Sequence, residues 1–121
     1  MNKGKIKEKS FRFAVRVVNL YKYLCEEKKE FVLSKQILRS GTSVGAMVRE
    51  AEHAESKADF IHKMAIAQKE INETLYWLEL MCETKYLSSE EFESINNDAV
   101  ELIKMLTSAI KTTKSSLTTN H

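Results

Sequence analysis

The sequence predicts an all-α protein, an antiparallel up-and-down four-helix bundle built as a single domain. The 121 residues include no proline and three glycines, so the chain lacks the residues that tight turns between strands require. Apolar residues recur at spacings of three and four along four segments, as in amphipathic helices. Short polar links join these segments, which makes neighbouring helices antiparallel. A three-helix hairpin array with a swapped first helix is the alternative.

The first helix is predicted from about Ser10, or a turn earlier, to about Glu27. Residues 1–9 are predicted to be a basic N-terminal extension, and residues 10–112 the bundle itself. The inner face is predicted to contain Phe11, Ala14, Val15, Val18, Tyr21, Leu24 and Cys25, with Val17 and Leu20 beside it.

The second helix is predicted from Lys35 to about Ala54, with Ser34 as its N-cap. Its inner face is predicted to contain Ile37, Leu38, Gly41, Val44, Gly45, Val48 and Ala51. Gly41 and Gly45 each disfavour a helix by about 1 kcal/mol relative to alanine. Glycines at this spacing give one smooth helix face, which suits the close approach of a neighbouring backbone. A helix break at residues 40–43 is the alternative, because Ser, Gly and Thr are poor helix formers.

Capping boxes define the starts of the third and fourth helices. Ser56 with Asp59 begins the third helix, which runs to about Lys85, and Ser88 with Glu91 begins the fourth. The tail at residues 113–121 is polar and rich in Thr and Ser, so we expect it to fray. The predicted inner faces contain Phe60, Ile61, Met64, Ile71, Leu75, Leu78 and Met81 in the third helix, and Phe92, Ile95, Ala99, Leu102, Leu106 and Ile110 in the fourth.

Two sets of residues are predicted to serve packing or subunit contact. The face of the second helix that contains the small residues Gly41, Ser43 and Gly45, called the small face, is one of them. The third helix is apolar over more than one side, which is typical of an interface. Simple core packing is the alternative for the third helix. The predicted residues are Gly41, Ser43, Gly45, Ile66, Tyr76 and Trp77.

Positive charge is concentrated near the start of the chain. Residues 1–30 contain nine Lys/Arg against four Glu, whereas residues 49–83 contain four Lys/Arg against eight Asp/Glu. A stripe of cations at helical spacing predicts contact with nucleic-acid phosphates, and without a base-reading motif any binding favours the backbone. A solvated face is the alternative. The predicted nucleic-acid-binding residues are Lys5, Lys9, Arg12, Arg16, Lys35 and Arg39.

No residue pattern indicates a catalytic centre, a metal site or a bound cofactor. Glu50 with His53, and Asp59 with His62, have the Glu-x-x-His type of spacing found in di-metal bundles. However, Asp59 and His62 are predicted to lie away from the inner face. Cys25 and Cys82 fall inside helical patterns, where we expect reduced, half-buried thiols rather than a disulfide or a metal pair.

The N-terminus is basic but no apolar stretch follows it, so we expect no secretory signal. No run approaches the ~18 apolar residues of a membrane span. We therefore expect a soluble protein in the cytoplasm.

A longer motif carries a family resemblance. It comprises Ser40-Gly-Thr-Ser-Val-Gly-Ala-Met-Val-Arg-Glu-Ala51, then Ser56-Lys-Ala-Asp-Phe-Ile61, Lys69-Glu70 and Glu73-Thr-Leu-Tyr-Trp-Leu-Glu-Leu80. This motif resembles the four-helix-bundle family named for the 23S rRNA intervening-sequence protein. The resemblance implies a ring-like homopentamer without assigned catalytic residues. It also implies kinship with the accessory protein of diversity-generating retroelements, a basic pentamer that binds nucleic acid and a reverse transcriptase.

Two functions are consistent with these observations. One is a non-enzymatic, homo-oligomeric accessory protein that binds the RNA or DNA backbone. The alternative is an assembly module that binds a protein partner, such as a reverse transcriptase-like enzyme. One departure from the family is Met47, where members commonly have Asn. If that Asn makes a buried polar contact, apolar packing replaces the contact in this chain.

Overall fold

The computed structural model describes residues 3–119, and it contains four helices and no strand in that range. The helices are α1 (Lys3–Glu26), α2 (Leu33–Glu52), α3 (Lys57–Glu83) and α4 (Ser89–Thr119). Each helix packs against the next, and α4 returns beside α1 to close the bundle. Contacts between the helices run in opposite senses along each pair, so the predicted antiparallel up-and-down four-helix bundle is confirmed.

One continuous core lies along the bundle axis and receives side chains from all four helices. Most of the residues predicted for the inner faces of α2, α3 and α4 are buried there, whereas Ile61, Leu75 and Phe92 are half-buried at its edge, as is Met47. The largest fully buried side chains are Ile6, Phe13, Val17, Leu24, Ile37, Val44, Met64, Ile71, Leu78, Met81, Leu102 and Leu106.

The predicted inner face of α1 is wrong in part, although Leu24 and the adjacent Val17 are buried as predicted. Phe11 and Val15 are exposed, whereas Phe13 and Ser10 are buried. Two apolar stripes compete on this helix, and the buried stripe is interrupted by a serine, which hides its periodicity. α1 passes close to Gly45 at this serine, because a Cβ added to Gly45 would lie 3.3 Å from the Ser10 carbonyl oxygen.

The terminal helices are longer than predicted. α1 begins at Lys3 and its Ile6 is buried in the core, so residues 3–9 belong to the bundle and not to an extension. α4 continues to Thr119, so residues 113–119, predicted to fray, are helical. Residues 1–2 and 120–121, which were assigned to the extension and the tail, lie outside the described residues.

The start of α2 is capped by Glu30 and not, as predicted, by Ser34. The Glu30 carboxylate accepts hydrogen bonds from the backbone N–H groups of Val32 (3.2 Å), Leu33 (2.9 Å) and Ser34 (2.7 Å). The Ser34 hydroxyl donates back to the Glu30 carbonyl oxygen at 2.9 Å. Because the first N–H groups of a helix have no partner within it, one carboxylate satisfies three of them here.

The other two caps follow the sequence pattern. The Ser88 hydroxyl accepts from the Glu91 N–H at 3.0 Å, and the Glu91 carboxylate accepts from the Ser88 N–H at 2.8 Å. The Ser56 hydroxyl accepts from the Asp59 N–H at 3.0 Å. Asp59 has a shorter side chain than the Glu of a full capping box. Its carboxylate accepts from the N–H of Glu55 at 3.2 Å, and not from the N–H of Ser56.

α2 runs unbroken through its two glycines, so no helix break occurs at residues 40–43. A Cβ added to Gly41 would lie 2.7 Å from a methyl carbon of Val17, which shows how closely α1 approaches. The hydroxyl of Ser40 donates to the carbonyl oxygen of Gln36 at 3.0 Å, and Thr42 and Ser43 make the same kind of bond one turn back. These bonds satisfy the buried hydroxyls without interrupting the helix.

Candidate nucleic-acid interface

Two of the four predicted α1 cations hold α1 against α4. Lys9 forms an ion pair with Glu101. Arg16 lies 2.6 Å from a carboxylate oxygen of Asp98, and it also donates to the carbonyl oxygen and hydroxyl of Ser94 at 3.2 and 3.0 Å. These two cations are therefore partly neutralised within the chain. They lie between α1 and α4, which is the least closely packed pair of neighbouring helices.

Arg12 is far more accessible than Arg16. Its side chain is 75% exposed, and a guanidinium nitrogen lies 3.9 Å from the Glu8 carboxylate, one helical turn away. Pairs this long and this exposed contribute little to stability, so the guanidinium can reorient toward an external anion. Lys5 is also exposed, near the beginning of the same helix.

Arg39, also predicted to bind phosphate, belongs to the contact between α2 and α3. Its guanidinium lies 3.3 Å from Glu70 and forms a second ion pair with Glu73. The hydrogen bond that Arg39 donates to the Glu73 carboxylate is the main cause of the raised pKa of Arg39. Lys35, the other predicted α2 cation, is exposed. The two α2 cations therefore differ, because Arg39 is held by acidic α3 and Lys35 is open to solvent.

Glu73 joins Arg39 to Trp77. The Trp77 indole N–H donates to the Glu73 carboxylate at 3.0 Å. The hydrogen bond from Arg39, followed by that from Trp77, holds the pKa of Glu73 below its ordinary value. Because the pKa is lowered in the folded state, this network stabilises the protein above the ordinary glutamate pKa and is lost as the pH falls through the lowered value.

Trp77 is the chain's single tryptophan, so its fluorescence reports directly on this network. We expect a fluorescence titration of the wild type to show a transition with its midpoint below the ordinary glutamate pKa of about 4.3. The Glu73→Gln variant should lack that transition, since no carboxylate remains beside the indole. Glu79→Gln, an exposed change on the same helix, is the control and should retain it. An unchanged titration in Glu73→Gln would contradict the assignment.

Sequence reasoning missed the lysines of α4. Residues 102–119 contain three lysines and no Asp or Glu, and Lys104 and Lys111 are exposed and form no ion pair with the described residues. Because α4 is antiparallel to α1, this segment lies at the same end of the bundle as residues 3–12, which contain five Lys/Arg and one Glu. We call residues 3–12 and 102–119 together the basic end. The absence of acidic residues after Glu101 was the sequence signal that could have found it.

The two carboxylates considered for a metal, Glu50 and Asp59, are engaged otherwise. Lys63 lies 3.1 Å from the Glu50 carboxylate, and Asp59 accepts the backbone hydrogen bond described above. Among residues 3–119, no group of three or more His, Cys, Asp or Glu side chains is arranged to hold a metal ion. Cys25 and Cys82 are free and half-buried, in agreement with the expectation of unbridged thiols.

The residues predicted for packing or interface divide into two groups. Gly41 and Gly45 face α1 within the same chain, and the Ser43 hydroxyl donates to the Arg39 carbonyl oxygen at 2.7 Å. Ile66 and Trp77 are half-buried beside the core, whereas Tyr76 is 59% exposed and packs edge-on against Trp77, with ring centroids 5.0 Å apart. The small face is thus an internal packing surface.

Two exposed apolar patches remain. The first is on α1 and consists of Phe11 (54% exposed) and Val15, with Arg49 stacked 5.3 Å from the Phe11 ring centroid. The second is at the end of the bundle where the link before α2 exposes Phe31 and Val32 (71% exposed). The C-terminal half of α3, which exposes Tyr76, lies beside the start of α2 at that end.

The geometry can be compared with known proteins at this point. Residues 2–108 match the family described as 23S rRNA-intervening sequence protein. The chain belongs to this family. The 23S rRNA-intervening sequence fold seen here is also similar to the crystal structure of a protein of unknown function from the S23 ribosomal protein family of Bacteroides thetaiotaomicron VPI-5482. That chain is 62% identical, the match covers 92% of this chain and 99% of that one, and the TM-score is 0.90.

No curated protein matches the chain. Within residues 3–119, none of the helices combines the length and apolar character that crossing a bilayer requires. Membership of the 23S rRNA-intervening sequence family therefore identifies the fold of this chain. The basic end and the exposed apolar patches are the features that bear on its function.

Proposed function

We propose that this member of the 23S rRNA-intervening sequence family is a non-enzymatic, self-assembling accessory protein that binds the backbone of RNA or DNA. The observation that carries the proposal is the basic end. It joins the N-terminal turns of α1 to the C-terminal half of α4 and contains eight Lys/Arg against one Glu. Clustered cations of this kind release counterions from a polyanion on binding, which favours association with phosphates of any sequence.

The proposed nucleic-acid surface lies on α1 and α4 and does not include the cations of α2. Lys5, Lys9 and Arg12 remain part of it, whereas Arg39 is occupied by two carboxylates of α3. Lys104 and Lys111 lie seven residues apart on one helix, which corresponds to about 10 Å. That distance lets a single nucleic-acid backbone contact both side chains.

A shift assay with unrelated RNA and DNA fragments at increasing salt tests this surface. We expect the logarithm of the binding constant to fall linearly with the logarithm of the salt concentration. Lys104→Glu/Lys111→Glu should weaken binding at low salt and make the slope shallower by about 2, since each lost phosphate contact removes about 0.9 from it.

Lys22→Glu/Lys69→Glu makes the same charge change on exposed lysines outside the basic end, and it is the matched control. It should bind almost as the wild type does. Equal loss in both double variants would indicate that net charge alone matters, and absence of any shift at low ionic strength would refute the proposed function.

Self-assembly is supported by the two exposed apolar patches. One lies near the middle of α1 and the other in the link before α2, so they are unlike surfaces, and contact between the two is head to tail. Head-to-tail contacts close into rings when the rotation between subunits permits, and the ring implied by the resemblance is a homopentamer. Light scattering tests this directly, with five subunits expected for the wild type and fewer for Phe11→Ser/Val15→Ser. A wild-type monomer would refute it.

A second function, docking of a protein partner such as a reverse transcriptase-like enzyme, is favoured by the exposed pair Tyr76 and Phe31. Aromatic side chains are enriched at protein interfaces. Co-purification from the native host would decide for this function if a polymerase-like protein were recovered with the wild type and lost with Tyr76→Ser/Phe31→Ser. Recovery of the chain alone would decide against it.

A further inference from the structure

An exposed and well-positioned aromatic ring lies on the outer side of α3. Tyr76 is 59% exposed, and its ring meets that of Trp77 edge to face, with the centroids 5.0 Å apart. This contact holds the tyrosine ring in place and leaves most of it open to solvent. A fixed, exposed aromatic ring can stack on a nucleic-acid base of any kind, because every base has a π face.

Tyr76 and the lysines of α4 flank the contact between α3 and α4. The Gln68 amide donates to the Thr107 hydroxyl at 2.9 Å, so these two residues lie at the same height in the bundle. Lys104 and Lys111, three residues before and four residues after Thr107, lie on the same side of α4 as that threonine. Tyr76 follows Gln68 by two steps of four residues, which keeps it on one ridge of α3.

These side chains form a row along the bundle. Measured from the level of Thr107 at about 1.5 Å per residue, Lys104 lies about 4.5 Å toward the link between α3 and α4. Tyr76 lies about 12 Å in that direction because α3 and α4 are antiparallel, and Lys111 lies about 6 Å in the other. A strand that contacts both lysines therefore reaches the tyrosine in a further step of about 7.5 Å.

Within residues 60–78 and 99–111, no carboxylate competes for phosphates on this row. The α3 segment contains two, Glu70 and Glu73, and Arg39 binds both on the α2 side. The α4 segment contains one, Glu101, which forms an ion pair with Lys9 on the α1 side. Phosphates along the row therefore meet cations and neutral side chains.

The row ends at Tyr76. Glu79 and Glu83, about one and two turns further along α3, are exposed and repel a phosphate backbone. Lys69 interacts electrostatically with Glu73, four residues further on toward the α2 side, so it stands apart from the row. The tyrosine is thus the last group that a bound strand can contact on this face.

We propose that the nucleic acid bound at the basic end is single-stranded, with phosphates on Lys104 and Lys111 and one base stacked on Tyr76. This inference rests on the proposed binding of nucleic acid and adds its substrate class. A single strand is required because unstacked bases are the ones that aromatic side chains can reach. The row lies apart from both exposed apolar patches, so it stays accessible in the assembled particle.

A preference for single strands would be diagnostic of stacking. Contacts with phosphates alone favour a duplex, because it has the higher charge density and the steeper dependence on salt. Stacking on an aromatic side chain adds affinity only for a strand whose bases are unpaired. The two contributions therefore act in opposite directions when a single strand is compared with its duplex.

Fluorescence anisotropy at low salt tests the inference with three DNA probes of equal length, namely a mixed-sequence single strand, its duplex and an abasic single strand. We expect the wild type to bind the intact strand about tenfold more tightly than the abasic strand, as for one stacked base. Tyr76→Ser should weaken binding of the intact strand by about tenfold and leave the other two probes unaffected. Tyr76→Phe, which keeps the ring, should retain the wild-type preference.

The salt dependence separates failure of this inference from failure of the proposed function. Tyr76→Ser removes no cation and should keep the wild-type slope, whereas Lys104→Glu/Lys111→Glu makes it shallower. Equal binding of the intact strand by wild type and Tyr76→Ser would overturn the stacking and leave Tyr76 to a protein partner, while a salt-dependent shift would still support the basic end. Equal weakening of all three probes would also overturn it, since a folding defect has that effect. Absence of binding to any probe would refute both.

Discussion

Gly41→Ala is expected to destabilise the wild-type protein by about 1 kcal/mol, although the same change in an open helix would stabilise it by about as much. The added Cβ would lie 2.7 and 2.8 Å from the two methyl carbons of Val17, and the β-branched valine has little rotamer freedom with which to retreat. Helix α1 must therefore move away from α2. Chemical denaturation of the two proteins measures the difference.

Gly41→Ala is expected to stabilise the protein, instead of destabilising it, when Val17 is first shortened to alanine. In the Val17→Ala background the obstructing methyl groups are gone, so adding Gly41→Ala should raise the free energy of unfolding by about 1 kcal/mol through helix propensity and partial filling of the cavity. A double-mutant cycle over these two positions measures the coupling. If Gly41→Ala has the same sign in both backgrounds, the close approach of α1 and α2 is not what requires the glycine.

Glu30→Gln is expected to lower the free energy of unfolding by about 2 kcal/mol at neutral pH, because it leaves a buried backbone donor without an acceptor. Both oxygens of the buried carboxylate accept N–H groups of α2, and the amide nitrogen of glutamine would face one of those donors. Glu27→Gln is the matched control. It alters an exposed carboxylate in the same link and should leave stability almost unchanged.

The effect of Glu30 should depend on pH. Burial by itself would raise the pKa of Glu30, but the N–H groups of Leu33, Ser34 and Val32 outweigh it, so the pKa lies below its ordinary value. A carboxylate with a lowered folded-state pKa stabilises the protein above its ordinary pKa, and that stabilisation disappears as the pH falls through the lowered value. The difference between wild type and Glu30→Gln should therefore shrink in acid. A constant difference from pH 7 to below the glutamate pKa would contradict the capping role.

The fold could be predicted because its signals are local. Helix periodicity, the capping boxes at Ser56 and Ser88, and short links each depend on residues within a few positions of one another. The inner faces of α2, α3 and α4 followed from the same periodicity. Helix α1 was the exception, because its outer face is nearly as apolar as its inner face, and the stripe that is buried is the one whose Ser10 and Val17 lie close to Gly45 and Gly41 of α2.

The candidate site was predicted only in part, for a different reason. Spacing placed Lys5, Lys9 and Arg12 on one stripe, but the partners of a charge depend on which helix lies opposite. Glu70 and Glu73 occupy Arg39 through contacts more than thirty residues away in sequence, and Lys104 joined the basic end only when α4 was placed beside α1.

The sequence by itself determined the number of helices, their antiparallel order and the caps of α3 and α4. The exposed cation Arg12 also followed from it. Tertiary structure decided the rotation of α1 about its axis, the capping of α2 by Glu30, and the sorting of cations into those that bind α3 or α4 and those left for a partner. The physical reason is the separation in sequence between the residues that each interaction joins. Helix formation depends on neighbours in the chain, whereas close packing and ion pairing depend on residues that meet only after the four helices assemble.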